Sequence, residues 1–289
     1  VIITVIVMLV VGAVAVWTNR ESIGHAADRL GGPGPAPVES AAPPSPSDDG
    51  PGLSMAGQPA PPLLTPGPVD VQVQGFLAWA LLDRKTNAIT GSANYASDTN
   101  STESMIKAWI SADYLRQLGN AQPSSDRLAL LTQMIRDSDD DAAEVIYDLD
   151  GSDAVVQRMI SICGLTETSI FEGWWSRTEV SARDAVRLGA CLADGRAAGP
   201  KWTGWILNEM RHVRGEGQFG IIDALPADVA ARTSIKNGWT IIGDDWHVDC
   251  LAIVDQYVLA VLTRYPAELG LQYGAAVCRN IATQLQPRG

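Results

Sequence analysis

The feature that most constrains the fold is an order of patterns: strand-like runs open and close the stretch from residue 69 onward, and helical patterns fill its middle. Residues 76–82 (Phe-Leu-Ala-Trp-Ala-Leu-Leu) form an unbroken apolar run of strand length. Residues 83–87 supply a polar turn and 88–92 a returning strand, so a β-hairpin is expected. Near the other end, residues 239–242, 247–254 and 257–264 follow one another across short turns, which predicts three antiparallel strands, and a closing helix is expected over 268–284. Helical spacing covers 126–147, broken by the polar run 136–141, and then 151–162, 181–193 and 201–211. Ser181 with Asp184 three residues on has the form of a capping box. Two parts of one antiparallel sheet separated by a helical insertion define an α+β layout with a helical subdomain.

The residues before 69 read differently. Residues 1–17 carry no charge and are almost wholly apolar, a length at the short end for crossing a bilayer. We expect a transmembrane anchor or signal segment over 1–18, a Pro/Gly/Ala-rich disordered linker over 19–68 and a folded domain over 69–289. No convincing cleavage site follows Ala13 and Ala15, so an uncleaved anchor is preferred. That places the domain outside the cytoplasm on a single-pass membrane segment, or in a secreted form if the segment is cleaved. A net charge of −12 argues against nucleic acid as a partner, because such partners demand basic patches.

Four cysteines, Cys163, Cys191, Cys250 and Cys278, allow three pairings. Sequence proximity favours Cys163 with Cys191 and Cys250 with Cys278, with free buried thiols as the alternative. No metal-ligand spacing is present, and His25, His212 and His247 are isolated and read as structural or surface residues. No cofactor is expected.

Chemistry concentrates at Ser104-Met105-Ile106-Lys107, read as the first turn of a helix. A serine hydroxyl needs a base within reach, and a lysine three residues on shares its helix face. A helix start also presents unpaired N–H groups to a developing oxyanion. An N-cap role for Ser104 beside a solvated Lys107 is the alternative. Two later clusters bear on the choice, Ser138-Asp139-Asp140 at the break in the helical pattern and Lys236-Asn237-Gly238 before the second set of strands.

In this order the three clusters resemble the motifs of the serine β-lactamase and penicillin-binding protein superfamily, class A β-lactamases above all. The resemblance spans roughly 69–284. It implies that Ser104 is acylated, that Lys107 is its base, that Ser138 relays a proton to the leaving nitrogen, and that Lys236 shapes the charge of the site. It also implies an oxyanion hole from the backbone N–H groups of Ser104 and Trp239, and substrate contacts from Asp140, Asn237, Gly238 and Trp239. The substrate so implied is a β-lactam or a D-amino-acid peptide.

Three departures qualify that expectation. Asp140 stands where the family has an asparagine, and an ionised carboxylate only accepts hydrogen bonds. Asn237 replaces a hydroxyl residue. The loop between Thr166 and Ser181 lacks the Glu-x-x-x-Asn pattern of the deacylating glutamate, with Glu172 and Glu179 nearby but outside it. Trp174, Trp175 and Trp239 fall near the expected cleft, where Trp239 could wall the pocket. The sequence thus predicts an acyl-serine hydrolase or transferase that is a poor β-lactamase, or alternatively an inactive domain of the same fold that binds a cell-wall peptide or a protein.

Overall fold

The structure, a computed structural model, describes residues 63–287. The expected membrane segment, most of the linker and His25 lie outside the described residues. Among the described residues no helix is long and apolar enough to cross a membrane. Residues 63–68, which composition places in the linker, belong to the packed chain. Leu64 is fully buried, and the Thr65 N–H donates to the Leu285 carbonyl at 2.7 Å.

The expected hairpin is present as β1 (Phe76–Asp83) and β2 (Ala88–Gly91). A short pair that the sequence did not announce follows, β3 (Thr99–Ser101) with β4 (Glu179–Ser181). The helical insertion comprises α1 (Lys107–Gln117), α2 (Ser125–Arg136), α3 (Asp140–Leu149), α4 (Asp153–Cys163), α5 (Ala182–Ala193) and α6 (Pro200–Arg211). After the single turn α7 (Ala227–Ala230) come β5 (Ser234–Ile235), β6 (Gly238–Ile242), β7 (Asp245–Val254) and β8 (Tyr257–Pro266), and α8 (Leu271–Gln284) closes the chain.

The sheet runs β2-β1-β8-β7 and ends on β5 and β6, which both pair with β7. These two are one edge strand interrupted by Lys236 and Asn237, since Ile235 faces Ala252 and Gly238 faces Asp249 in the same antiparallel register. All pairings within the sheet are antiparallel.

Strand alternation divides the core. Ala78, Ala80 and Leu82 of β1 join the helical side with α1 and α5, while Trp79 and Leu81 join the side covered by α8. A strand buried on both faces carries apolar residues at every position, which is why β1 reads as an unbroken run. On the helical side α5 lies close to the sheet at Gly189, where a Cβ would come within 2.5 Å of Val258 Cγ1. The start of α5 is capped as the sequence predicts, with Ser181 Oγ accepting from the Asp184 N–H at 3.1 Å.

Both proximity pairings of the cysteines are present: Cys163–Cys191 joins α4 to α5, and Cys250–Cys278 joins β7 to α8. Each closes a 28-residue separation, for which loop-closure entropy gives about 3.5 kcal/mol of stabilisation. We expect Cys250→Ala/Cys278→Ala to lower the unfolding free energy by about 2–4 kcal/mol in urea titration. A loss below about 1 kcal/mol would show that this bridge adds little to the packing of α8.

Candidate active site

Ser104 does not open an α-helix. It lies in a 3-10 turn, Glu103–Ile106, and α1 starts only at Lys107. Its side chain accepts no helix-cap bond. Glu103, just before it, has φ +46° and Ser138 has φ +59°, a left-handed conformation that costs a residue with a Cβ about 1–2 kcal/mol. Two such residues flank one cleft, and backbone strain of this kind gathers at functional sites.

Lys107 is fully buried in α1, yet its Nζ reaches the gap between α2 and α3. There it donates to the Ser138 carbonyl at 2.5 Å and to Asp140 Oδ1 at 2.5 Å. Neither contact is to Ser104. Burial lowers the pKa of Lys107 from the usual lysine value, and Asp140 opposes that shift. Asp140 therefore acts as a clamp on the lysine. Its side chain is 81% exposed, so its other face stays open to water.

Lys236 comes from the break between β5 and β6. It is fully buried, and its Nζ donates to Ser138 Oγ at 2.9 Å and to the Asn237 carbonyl at 3.2 Å. Burial, and then the charge of Lys107, hold its pKa well below the usual lysine range. Ser138 is thus bound by one lysine at its carbonyl and by the other at its hydroxyl.

Asn237 does not join this group. Its amide donates to the carbonyls of Gly217 at 3.0 Å and Phe219 at 2.8 Å, so both of its amide hydrogens are engaged inside the protein. Neither amide hydrogen is left to donate into the cavity. Gly238 contributes by having no side chain: a Cβ there would lie 2.5 Å from the Thr102 carbonyl oxygen and 3.0 Å from Met105 N. Its absence lets β6 press against the Ser104 turn.

Two adjoining cavities share Ser104, Asp140 and Trp239 in their linings. One, of about 350 Å³, also takes in Asp137, Ser138, Arg214 and Glu216. The other, of about 570 Å³, runs between β6 and the 174–177 segment and includes Glu103, Asp141, Glu144, Trp174 and Trp175. Trp239 is the wall between them, edge-on to Phe219 at 5.6 Å and 5.9 Å from Lys236 Nζ. Trp175 is held by its indole N–H on Glu144 Oε2 at 2.9 Å and lies 5.2 Å from Lys107 Nζ. Trp174 is 55% exposed at the rim. Arg214 is tied to Asp137 through both of its bonding nitrogens.

Sequence reasoning missed Glu103 and Glu144, although Glu103 adjoins the serine. Glu172 is exposed and is not part of either lining. His247 is buried, with Nδ1 2.9 Å from Ser101 Oγ.

Residues 126–286 match the family described as the β-lactamase enzyme family. The chain belongs to that family. The match includes Ser138 and Lys236, while Ser104 and Lys107 precede it. Solved β-lactamases share the family's fold with this chain at low identity. L2 complexed with relebactam aligns at TM-score 0.59 and 15% identity, over 72% of this chain and 89% of L2. The enzyme from Chitinophaga pinensis DSM 2588 aligns at TM-score 0.60 and 16% identity, over 73% and 92%. "Putative lipoprotein LppW" of Mycobacterium tuberculosis and of Mycobacterium bovis is 30% identical over 206 residues, 66% of this chain and 64% of that protein. The chain thus spans under two thirds of the length of these curated relatives.

Proposed function

We propose that this β-lactamase-family chain is an extracytoplasmic acyl-serine enzyme in which Ser104 is the nucleophile. The observation that carries the reading is the double engagement of Ser138, by Lys107 at its carbonyl and by Lys236 at its hydroxyl, on the cavity that Ser104 also lines. Neutral Lys107, favoured by its burial, takes the Ser104 proton as Oγ attacks a substrate carbonyl. The N–H groups of Ser104 and Trp239 receive the oxyanion. Ser138 gives its proton to the leaving nitrogen and is resupplied by a neighbouring lysine, so the C–N bond breaks and an ester remains on Ser104. The substrate class is a β-lactam or a D-amino-acid peptide, in line with the complex of L2 with relebactam. Two disulfides suit an oxidising compartment, as does the lipoprotein name of the mycobacterial relatives. The N-terminal apolar segment would then tether the domain, through the linker, to the outer side of a membrane.

A second reading, a non-catalytic domain that binds a cell-wall peptide or a protein, draws on two observations. Lys107 is engaged by Asp140 and not by Ser104, and the Asn237 amide is turned inward.

Intact-mass analysis of the full chain after incubation with a penicillin separates the two. An adduct of the penicillin's mass on the parent and none on Ser104→Ala is the expected result. Neither adduct nor turnover, with penicillins and with a neutral p-nitrophenyl ester alike, removes the enzyme reading and leaves the binding domain.

A further inference from the structure

The loop that carries the deacylating glutamate in class A enzymes has no such residue here, yet the cavity beside Ser104 holds another carboxyl group. Glu103 is 4% exposed and lines the 570 Å³ cavity together with Ser104. Its position is built by three separate contacts. Its backbone is held at positive φ. Its Cβ is backed by β6, so closely that a Cβ on Gly238 would stand 2.9 Å away. Its Oε1 accepts from Ser101 Oγ at 2.6 Å, and Ser101 Oγ is in turn 2.9 Å from His247 Nδ1. Among the described residues Oε2 has no protein partner, which leaves it for a molecule in the cavity.

We propose that Glu103 is the general base that hydrolyses an acyl group from Ser104, an inference that rests on the acyl-serine reading above. The ionised carboxylate takes a proton from a water molecule while the water oxygen attacks the ester carbonyl carbon. The tetrahedral adduct then collapses, its bond to Ser104 Oγ breaks, Oγ takes the proton back from the Glu103 carboxyl, and the product leaves as a carboxylic acid. One water is consumed and every proton is returned.

Ser101 and His247 are positioning residues in this step. While Glu103 is ionised, Ser101 donates to it and His247 Nδ1–H donates to Ser101. When Glu103 gains a proton, its own O–H can donate to Ser101 Oγ, which still accepts from His247 Nδ1–H. No second charge is created, because burial first and then Arg264 and Arg177 lower His247 to about 4, keeping it neutral near pH 7.

The surroundings tune the carboxyl to this task. Burial pushes Glu103 up to about 7; the Ser101 hydrogen bond and Arg177 pull it down, while Glu179 on β4 and Asp140 on α3 push it up. Lys107 on α1 and Asp249 on β7 also feel its charge. A base that titrates near the working pH combines a useful ionised fraction with basicity.

The test uses the full chain with the neutral p-nitrophenyl ester, following the burst of p-nitrophenol and the steady rate after it. For the parent we expect a burst, then a steady rate that rises with pH around a midpoint near 7. Glu103→Gln should still give the burst, but its steady rate should fall by about 10²-fold or more and lose that midpoint, with the acyl adduct persisting by mass. Ser101→Ala retains the carboxyl but removes a bond that favours its ionised form, so the midpoint should move upward. This second variant reads the proposal independently if Glu103→Gln does not fold. A burst followed by the parental steady rate and pH profile in Glu103→Gln overturns this proposal and leaves the acyl-serine reading standing. No burst and no adduct on the parent overturns both.

Discussion

Lys107→Met is expected to reduce acylation of Ser104 by about 10²–10⁴-fold, the usual contribution of a positioned base, without unfolding the protein. The two outcomes separate because the lysine is expensive where it sits. Its side chain is fully enclosed, and burial depresses its pKa below the usual lysine value despite the Asp140 carboxylate. Methionine fills a similar sleeve without a charge to desolvate. Of the two acceptors left behind, the Asp140 side chain is 81% exposed and can turn to water, and the Ser138 carbonyl is only partly buried.

The pH dependence carries the same signature. Between the depressed folded-state pKa of Lys107 and its higher unfolded value, the unfolded chain binds more protons than the native one, so stability rises with pH across that window. Lys107→Met should remove that part of the slope, and chemical denaturation at several pH values will show it. Acylation should also rise with pH as Lys107 becomes neutral. Asp140→Asn, by withdrawing the charge that favours the protonated lysine, should move that rise to lower pH. If Lys107→Met acylates within about threefold of the parent, some other group is the base and the serine–lysine reading fails.

What the sequence disclosed, and what it withheld, follows from the range of the interactions involved. Strand β1, the second half of β7 and the first part of β8 were legible because burial on both faces imposes unbroken apolar runs, as at 78–82, 250–254 and 257–262. The cap of α5 was legible because one side chain satisfies one backbone N–H three residues away. The β3–β4 pair was not, since Asn100 and Ser101 are polar residues buried by distant elements, with Asn100 bonded to Asp249. The same holds for the site. Serine–lysine spacing marks a turn, but the burial of Glu103 depends on β6 returning past it some 135 residues later. The inward turn of Asn237 depends on two carbonyls from the 217–219 segment. Asp140 could be recognised as an acceptor from its chemistry alone, whereas its donor, Lys107, became apparent only when α1 was packed against the α2–α3 break.

Gly238→Ala should have the second large effect, and on both chemical steps together. A methyl group at this position would meet the Thr102 carbonyl oxygen at 2.5 Å, Glu103 Cβ at 2.9 Å and Met105 N at 3.0 Å. Two of these are backbone atoms in a turn with little freedom to yield. The Thr102 carbonyl accepts the Met105 N–H at 3.0 Å, and the Thr102 N–H donates to the Thr178 carbonyl at 2.8 Å, which fastens the turn to the 175–178 segment. On the opposite side β6 is fixed to β7 from Gly238 through Ile242. The strain must therefore part β6 from the Ser104 turn, separating the Trp239 N–H from the serine and loosening the packing behind Glu103. A displacement on the order of 1 Å at a reacting centre costs about 10²-fold in rate, and overpacking of this kind costs about 1–3 kcal/mol of stability. Burst and steady rates of the p-nitrophenyl ester reaction should both fall, in contrast to Glu103→Gln, which should spare the burst. Parental rates in Gly238→Ala would mean that the contact between β6 and the turn does not set the geometry of the site.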